Sequence, residues 1–137
     1  MSDQNLELVA RGSALLSQCF LTGELSPEMV ALCAPDLLID ASRRVFNPET
    51  YEGPDGLRRL VREIHEAWED FTETNERLIA AGDRVVALQT IRGRGRVSRA
   101  EVELRGAVVW AVRDGLVAQV DIFLEQDEAL AFAGVAA

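Results

Sequence analysis

The spacing of apolar residues changes character about halfway along the chain. In the first half, apolar positions recur every three to four residues, which is typical of helices with one buried face. From Phe71 onward the period becomes two, which is typical of strands. The predicted elements are a helix over 3–22, a short helix from Pro27 that stops at Pro35, a strand over 37–41, a helix ending near Asp70, strands over 71–81, 83–94, 100–113 and 116–125, and a closing helix over 126–133.

Turn-forming residues separate these elements. Asp114-Gly115 suits a two-residue type I′ turn, and Gly82-Asp83 is a second candidate hairpin turn. Asn47-Pro48 and Gly53-Pro54 predict a loop over residues 42–55. The order helix, helix, strand, helix, four strands, short helix predicts an α+β fold with helices on one face of an antiparallel sheet.

The composition is that of an ordinary globular protein. The 137 residues predict one domain over 1–137, with 48% hydrophobic and 27% charged residues. The net charge of −9 argues against a nucleic-acid-binding protein, because neutralising phosphates needs a concentrated basic surface. No apolar run approaches the roughly 20 residues of a membrane helix, and the polar N-terminus is unlike a signal peptide. We therefore expect a cytoplasmic protein that binds neither nucleic acid nor membrane.

Few residues suit metal or covalent chemistry. All 14 basic residues are arginine, which excludes a lysine nucleophile. His65 is the only histidine, which excludes a multi-histidine metal site and disfavours a serine–histidine triad. Cys19 and Cys33 lie in apolar helical patterns without a partner at metal-ligand spacing, so we expect buried free thiols.

The hairpin at Asp114-Gly115 predicts which residues share a face of the sheet. A two-residue loop places Val108 opposite Asp121. Val108 lies on an apolar strand face with Trp110, which we assign to the helix-covered core. Asp121 then projects into an apolar environment, where burial raises the pKa of a carboxyl. A bulge at Gly106 is the alternative, and it would turn Asp121 outward.

The opposite face in this register is small and apolar at its centre and charged at its rim. With the helices on the other face it needs a second cover, and a subunit interface has this composition. We therefore expect a homodimer that packs sheet to sheet with two-fold symmetry. The predicted interface consists of Ala107, Val109, Ala111, Ala118, Val120 and Ile122.

The first predicted hairpin joins an acidic strand to a basic one. With Gly82-Asp83 as the turn, Glu73 faces Arg92, which predicts a cross-strand ion pair on a solvated face. Glu76 faces Gln89, and these two side chains either line the pocket or form a solvated pair. Residues 92–96 carry three arginines, which predict a loop rim or, alternatively, an anion site.

Several motifs resemble one protein family. They are the entry to the third helix at 51–57 (YEGPDGL), the segments 82–86 (GDRVV) and 113–117 (RDGLV), and the ending from Phe123 to Gly134. With the order of elements, they are similar to SnoaL-like proteins of the nuclear-transport-factor-2-like superfamily, also called the cystatin-like α+β cone. The resemblance covers nearly the whole chain. It implies a curved sheet wrapped around the N-terminal helices, enclosing an apolar pocket, usually in a homodimer.

The resemblance also implies chemistry without a cofactor or metal. Asp121 looks like the last-strand aspartate that serves as acid or base in cyclases and epoxide hydrolases of this superfamily. The arginine–aspartate pair of the epoxide hydrolases has no carboxylate counterpart in residues 86–91. Asp40 is the nearest match to the early-strand base of ketosteroid isomerases, with a strand-end cap helped by Ser42 as its alternative. Tyr51 is a candidate hydrogen-bond donor to a substrate oxygen, or else a loop anchor.

Seven further residues are candidates for the pocket. Trp68 and Trp110 suit the walls of a pocket for a ring-shaped ligand, although large aromatic side chains also fill cores. His65 lies at the edge of the apolar stripe of its helix, as an acid–base group or a rim residue. The set consists of Trp68, Trp110, Glu76, Gln89, His65, Val108 and Phe123.

Two functions are compatible with these features. The first is an enzyme that isomerises, cyclises, dehydrates or opens an epoxide of an apolar, cyclic or polyketide-like molecule, with Asp121 as acid or base. The second is a homodimer that binds a ligand or assembles without chemistry. The isolated aspartate on an apolar strand favours the enzyme, and the lack of an evident partner for it favours the binding protein.

Overall fold

Helices and strands follow one another along the described part of the chain, residues 2–44 and 48–135 of a computed structural model. The predicted loop over 42–55 includes residues 45–47, which lie outside the described residues. The elements are α1 (Ser2–Thr22), α2 (Pro27–Ala31), β1 (Cys33–Asp40), β2 (Thr50–Glu52), α3 (Gly53–Ala67), β3 (Trp68–Ala81), β4 (Arg84–Gly95), β5 (Glu101–Arg113), β6 (Leu116–Phe123) and α4 (Gln126–Phe132).

One curved sheet of six strands organises the fold. Its strand order is β2-β1-β6-β5-β4-β3. The α+β class predicted from the sequence is confirmed, and the sheet is mixed, because β1 pairs with β6 in parallel. The other neighbouring strands pair antiparallel.

Each face of the sheet has its own apolar cluster. The inner face packs against the N-terminal helices, in a cluster that includes Val9 of α1, Val61 of α3 and Trp110 of β5. The outer face packs against α4, in a cluster that includes Val109 of β5 and Ala129 of α4. No helix among the described residues is long and apolar enough to span a membrane.

The local sequence explains the turn between β5 and β6 and the N-terminal cap of α2. Asp114 and Gly115 have φ values of 55° and 74°, the conformation that a type I′ turn needs. Ser26 accepts a hydrogen bond from the backbone N–H of Met29 at 3.2 Å and caps α2, with Pro27 in its first turn. The predicted end of this helix at Pro35 is wrong, since β1 already begins at Cys33.

A β-bulge in β6 decides which way its side chains point. Next to the turn, Val112 lies opposite Val117, as a two-residue loop predicts. The next pair is Ala111 opposite Gln119, so Ala118 is an extra residue of β6. Beyond a one-residue bulge the side chains of a strand exchange faces. The predicted alternation along β6 is therefore inverted after Ala118.

A second bulge lies in β3. Asn75, and not Glu76, is opposite Gln89, and the register shifts between Asn75 and Arg77. Glu76 is the extra residue, so the predicted pairing of Glu76 with Gln89 is wrong. The bulge places Asn75 and Glu73 on the inner face, two residues apart.

Candidate functional site

A cavity lies between the inner face of the sheet and the three N-terminal helices. Its volume is about 50 Å³, which is room for a few water molecules. Its walls are mostly apolar side chains, among them Leu16, Met29 and Leu57. Glu73 and Gln89 supply a carboxyl and an amide group to this lining, and none of the described residues that line it is basic.

Glu73 on β3 is a carboxyl side chain in apolar surroundings. Its neighbour across the strand pair is Ile91 of β4. Within the described part of the chain it has no hydrogen bond or ion pair. It keeps some accessible surface, yet burial alone raises the pKa of Glu73 from 4.5 to about 7. A carboxyl with a pKa near neutrality can both take up and release protons at physiological pH.

Gln89 on β4 lies diagonally across from Glu73 and is 1% exposed. Its Nε2 donates to Asn75 Oδ1 at 3.0 Å. Its Oε1 is buried and has no hydrogen-bond partner in the described chain. Diagonal neighbours on one face of a strand pair are about 7–8 Å apart, so one ligand group can reach both side chains. Glu73 and Gln89 therefore form the polar end of the cavity.

Trp110 marks the opposite end of the cavity. It is 2% exposed, and its indole N–H has no acceptor among the described residues. On β5, the residue at the same level of the sheet as Glu73 is Leu104. Leu104 lies six residues before Trp110. Trp110 therefore lies farther along the strands than the polar end, and both line the same cavity.

The predicted ion pair of Glu73 with Arg92 on a solvated face is wrong. Glu73 lines the cavity, and Arg92 bonds to Glu103 of β5 at 2.6 Å. A signal was present in the positions of Phe71 and Leu78, which both pack in the inner core. They are seven residues apart, and strict alternation puts residues an odd number apart on opposite faces. One bulge between them resolves the conflict and turns Glu73 inward.

Asp121 lies on the outer face of the sheet, opposite Val109 of β5. It is 3% exposed. Its Oδ2 accepts a hydrogen bond from Gln119 Nε2 at 3.0 Å, and its Oδ1 lies 3.7 Å from Arg43 Nη1. Burial raises the pKa of Asp121, and the Gln119 hydrogen bond and the Arg43 charge partly offset this rise. The expectation that Asp121 projects into the helix-covered core is wrong, because the bulge at Ala118 reverses its direction.

Asp40 lies beside Asp121, on the parallel strand β1. The backbone N–H of Ser42 donates to Asp40 Oδ1 at 2.9 Å, and the Ser42 hydroxyl donates to the same oxygen. These hydrogen bonds lower the pKa of Asp40. Arg43 Nη1 lies 3.9 Å from Asp40 Oδ2. The two aspartates therefore lie together around Arg43, on the face of the sheet that points away from the cavity.

Tyr51 is fully buried between β1 and α3, and it does not line the cavity. Its hydroxyl donates to Glu63 Oε1 at 2.6 Å and accepts from Arg44 Nη2 at 2.8 Å. Burial, and then the bond to Glu63, raise the pKa of Tyr51. These hydrogen bonds connect the loop after β1 to α3. Tyr51 is therefore a loop anchor, which was the alternative to a donor for a substrate oxygen.

His65 joins α3 to the end of α1. Its Nδ1 lies 3.0 Å from the carbonyl oxygen of Phe20. Because a carbonyl only accepts, Nδ1 carries the proton and satisfies a last-turn carbonyl that has no helical partner. Gly23 follows with a φ of +80°, and a Cβ there would lie 2.6 Å from the imidazole ring. His65 therefore caps a helix, and Gly23 is required beside it.

The other predicted pocket residues divide between the two faces. Trp68 packs against Phe71, with ring centroids 6.3 Å apart, and does not line the cavity. Phe123 belongs to the outer cluster under α4. Glu76 is exposed, and its Oε1 lies 3.6 Å from Arg105 Nε. The predicted pocket residues that line the cavity are Trp110, Gln89 and Val108.

The six residues predicted as a dimer interface do not share one face. Val120 and Ile122 line the cavity. Ala107 and Val109 are each 1% exposed and pack in the outer cluster with Ala129 of α4. The chain therefore covers the centre of this face with its own last helix. The homodimer itself remains a prediction from the sequence.

The two cysteines are free and buried, as predicted. Cys33 lines the cavity, and its thiol donates to the carbonyl oxygen of Met29 at 3.4 Å. Burial raises the pKa of Cys33 to about 11, which keeps the thiol protonated and unreactive at neutral pH. Among the described residues, no group of three or more His, Cys, Asp or Glu side chains is placed to hold a metal ion.

Comparison with known proteins identifies a sequence family and a fold. The SnoaL-like domain matches residues 16–120 of the chain. No curated protein matches the chain. The fold is similar to that of Bal32a from a soil-derived mobile gene cassette, with a TM-score of 0.75 at 16% identity over 92% of this chain and 93% of that one.

Two further solved structures share the fold and contain a small molecule. One is a hypothetical protein with a ketosteroid isomerase-like fold from Catenulispora acidiphila, in complex with trimethylamine. It has a TM-score of 0.72 at 15% identity, over 95% of this chain and 94% of that one. The other is TerC co-crystallised with polyporic acid, with a TM-score of 0.72 at 15% identity over 96% of this chain and 98% of that one.

Proposed function

Because the chain belongs to the SnoaL-like domain family, we propose that it is an enzyme that moves a proton on a small apolar molecule, with Glu73 as the acid–base group. The observation that carries this proposal is the unpaired carboxyl of Glu73 in the apolar cavity, with a pKa of about 7. In this proposal Glu73 takes the acid–base role that the resemblance implies for Asp121. Ionisable groups held in such surroundings are concentrated at functional sites.

The polar end of the cavity suits proton transfer from a bound O–H or C–H group. As a carboxylate, Glu73 takes the proton, and as a carboxylic acid it returns the proton to another atom of the same molecule. Isomerisation, cyclisation and dehydration each include such a proton transfer, and in epoxide opening to a diol the carboxylate takes the proton of an added water molecule, so these reaction types stay open. The apolar walls lower the local dielectric and so strengthen the interaction of the carboxylate with the substrate.

The size of the cavity argues for a small substrate. An engineered apolar cavity of about 150 Å³ holds benzene, and this one measures about 50 Å³. A molecule the size of benzene therefore requires outward movement of a lining side chain. Met29 of the five-residue helix α2 belongs to the lining and has a flexible side chain suited to such movement.

The first test measures the ionisation of Glu73 together with turnover. Carbon-13 NMR of the side-chain carboxyls, compared with Glu73→Gln to assign the signal, should give a pKa near 7 for Glu73. Small cyclic ketones in D₂O and small cyclic epoxides serve as substrates, with deuterium incorporation and diol formation as readouts. Where Glu73 acts as the base, the rate should rise as the pH increases through about 7.

Glu73→Gln should lower the turnover by at least about 100-fold, as expected for loss of a general base. Asp121→Asn is the matched control, because it neutralises a buried carboxyl on the outer face. A pKa near 4.5 for Glu73, or full turnover in Glu73→Gln, would show that Glu73 is not the acid–base group. Absence of turnover with the whole panel would favour a protein that binds its ligand without chemistry.

A second candidate function is the binding of a small organic cation. The lining of the cavity contains one carboxyl, no basic side chain and the aromatic rings of Phe20 and Trp110, and aromatic faces attract cations. The fold neighbour that holds trimethylamine supports this candidate. Calorimetric titration with trimethylammonium tests it. Tight binding that Glu73→Gln abolishes, without turnover of the ketones or epoxides, would replace the enzyme proposal.

A further inference from the structure

The amide of Gln89 leaves one strong hydrogen-bond acceptor unused in the cavity. The side chain is 1% exposed and lines the cavity, and its Oε1 is buried with no partner in the described chain. Leaving a buried polar atom without a hydrogen bond destabilises a protein. Such an atom in a native protein requires an explanation, and a hydrogen bond donated by a molecule bound in the cavity would satisfy it.

The strands on both sides of Gln89 explain why no protein group meets Oε1. On the β3 side, Asn75 is the direct neighbour, and its Oδ1 accepts from Gln89 Nε2 at 3.0 Å. On the β5 side the direct neighbour is Gly106, which has no side chain. The same-face neighbours along β4 are Ala87 and Ile91, which are apolar. The described neighbours of Gln89 therefore bond to its Nε2 and leave its Oε1 without a partner.

We propose that Gln89 is the specificity-determining residue of the cavity and selects small apolar molecules that carry a hydroxyl group. The hydroxyl donates to Gln89 Oε1, and the apolar remainder of the molecule packs against the walls. A site built to bond an O–H group strongly rejects an analogue without it, because the buried acceptor is then left unpaired. This inference deepens the proposed function, since it assigns the substrate class for the cavity that contains Glu73.

Asn75 is the positioning residue in this arrangement. Its Oδ1 holds Gln89 Nε2, so the opposite end of the amide remains for the ligand. Without Asn75, Gln89 can rotate and offer its NH₂ group to the ligand instead. Removing Asn75 should therefore weaken the preference for a donor more than it weakens binding of the apolar body.

The experiment compares two probes of nearly equal size, cyclobutanol and cyclobutanone. Binding is followed by NMR through the indole N–H of Trp110, which lines the same cavity and is assigned by comparison with Trp68→Phe. The wild-type protein should bind the alcohol roughly tenfold more tightly than the ketone, the effect of one unpaired buried acceptor. Gln89→Met keeps the length and apolar volume and should bind both probes with equal affinity. Asn75→Ala should give an intermediate ratio.

Several outcomes overturn the inference. They are equal or tighter binding of the ketone by the wild type, a preference for the alcohol that persists in Gln89→Met, and absence of binding for both probes. Glu73→Gln separates this inference from the proposed function, because it removes the acid–base group and leaves Gln89 in place. A preserved preference for the alcohol without Glu73-dependent turnover would support the role of Gln89 and reject the proton-transfer proposal.

Discussion

Glu73 and Asp121 are both carboxyl groups whose pKa is raised by burial, and their surroundings give them different roles. Asp121 receives a hydrogen bond from Gln119 and lies near the charge of Arg43. Glu73 has no polar partner among the described residues. The cost of ionising Glu73 is therefore uncompensated within the described chain. Proteins keep such destabilising groups where they serve a function.

The pH dependence of stability tests the environment of Glu73. Its pKa is about 7 in the folded protein against an ordinary 4.5, so the folded state holds this proton more tightly than the unfolded chain does. The contribution of Glu73 to the free energy of unfolding is most favourable below about pH 4.5. It falls as the pH rises towards 7 and is constant at higher pH. The total loss is about 3 kcal/mol.

We therefore expect Glu73→Gln to exceed the wild type in free energy of unfolding by up to about 3 kcal/mol at pH 8, with a much smaller difference at pH 5. Urea denaturation of both proteins at the two pH values measures this. Because all other carboxyls are present in both proteins, their contribution to the pH dependence of stability cancels in the comparison. A difference that does not depend on pH would mean that Glu73 ionises normally.

Neutralising Asp121 should leave the cavity unaffected. In Asp121→Asn the amide can still accept from Gln119, and the residue stays on the outer face. We expect unchanged binding of cyclobutanol, followed by the indole signal of Trp110. Loss of binding in this variant, at wild-type stability, would place Asp121 in the functional site after all.

At the level of elements, single-residue bulges decide which side chains form the site. Without them, Asp121 would project inward and Glu73 outward, as strict alternation predicts. The apolar pattern carries part of this information, since Val117 and Val120 both line the cavity although they are three residues apart. Which residue forms the bulge depends on pairing with a neighbouring strand, and local sequence does not encode it. That Gln89 and Trp110 line the cavity was predictable, because strict alternation holds around them.

Deleting Ala118 tests the bulge directly. The deletion allows regular pairing from the Asp114-Gly115 turn onward, which would turn Asp121 into the apolar core and expose Val120 and Ile122. Burying an uncompensated charge and exposing two core residues should cost at least about 4 kcal/mol. Thermal unfolding followed by circular dichroism measures the loss. Ala118→Gly keeps the residue count and is the control; equal stability of the deletion and this control would disprove the role of the bulge.

At the level of the whole molecule, one sheet carries two apolar clusters that different parts of the chain cover. The sequence predicted the N-terminal helices, the four-strand meander and α4, because each has a strong local period. It did not predict β2 or the parallel contact of β1 with β6. The three residues of β2 have no period of their own, and both pairings join distant parts of the chain. The surface under α4, which includes Ala107 and Val109, is also part of the interface predicted for a homodimer.

Removing α4 should expose the outer cluster. Val86, Val109 and Phe123 are at most 4% exposed in the intact chain and pack in the same cluster as Ala129. A chain ending at Glu125 should therefore self-associate, as measured by sedimentation velocity, because large apolar patches drive association. The full chain in the same experiment tests the predicted homodimer. A truncated chain that sediments like the full chain would show that α4 is not the cover of this face.

The bulge at Ala118 has a consequence for how the chemistry of such folds can change over generations. Insertion or loss of one codon within a strand exchanges the two faces of every later residue of that strand. An acid can then move from the cavity to the opposite surface without being replaced, while another acid arrives in the cavity. Two descendants of one ancestor can thus carry the same aspartate in the same aligned column and use it for different purposes. Transfer of a residue's role between them is safe only after the strand register has been counted from the nearest turn.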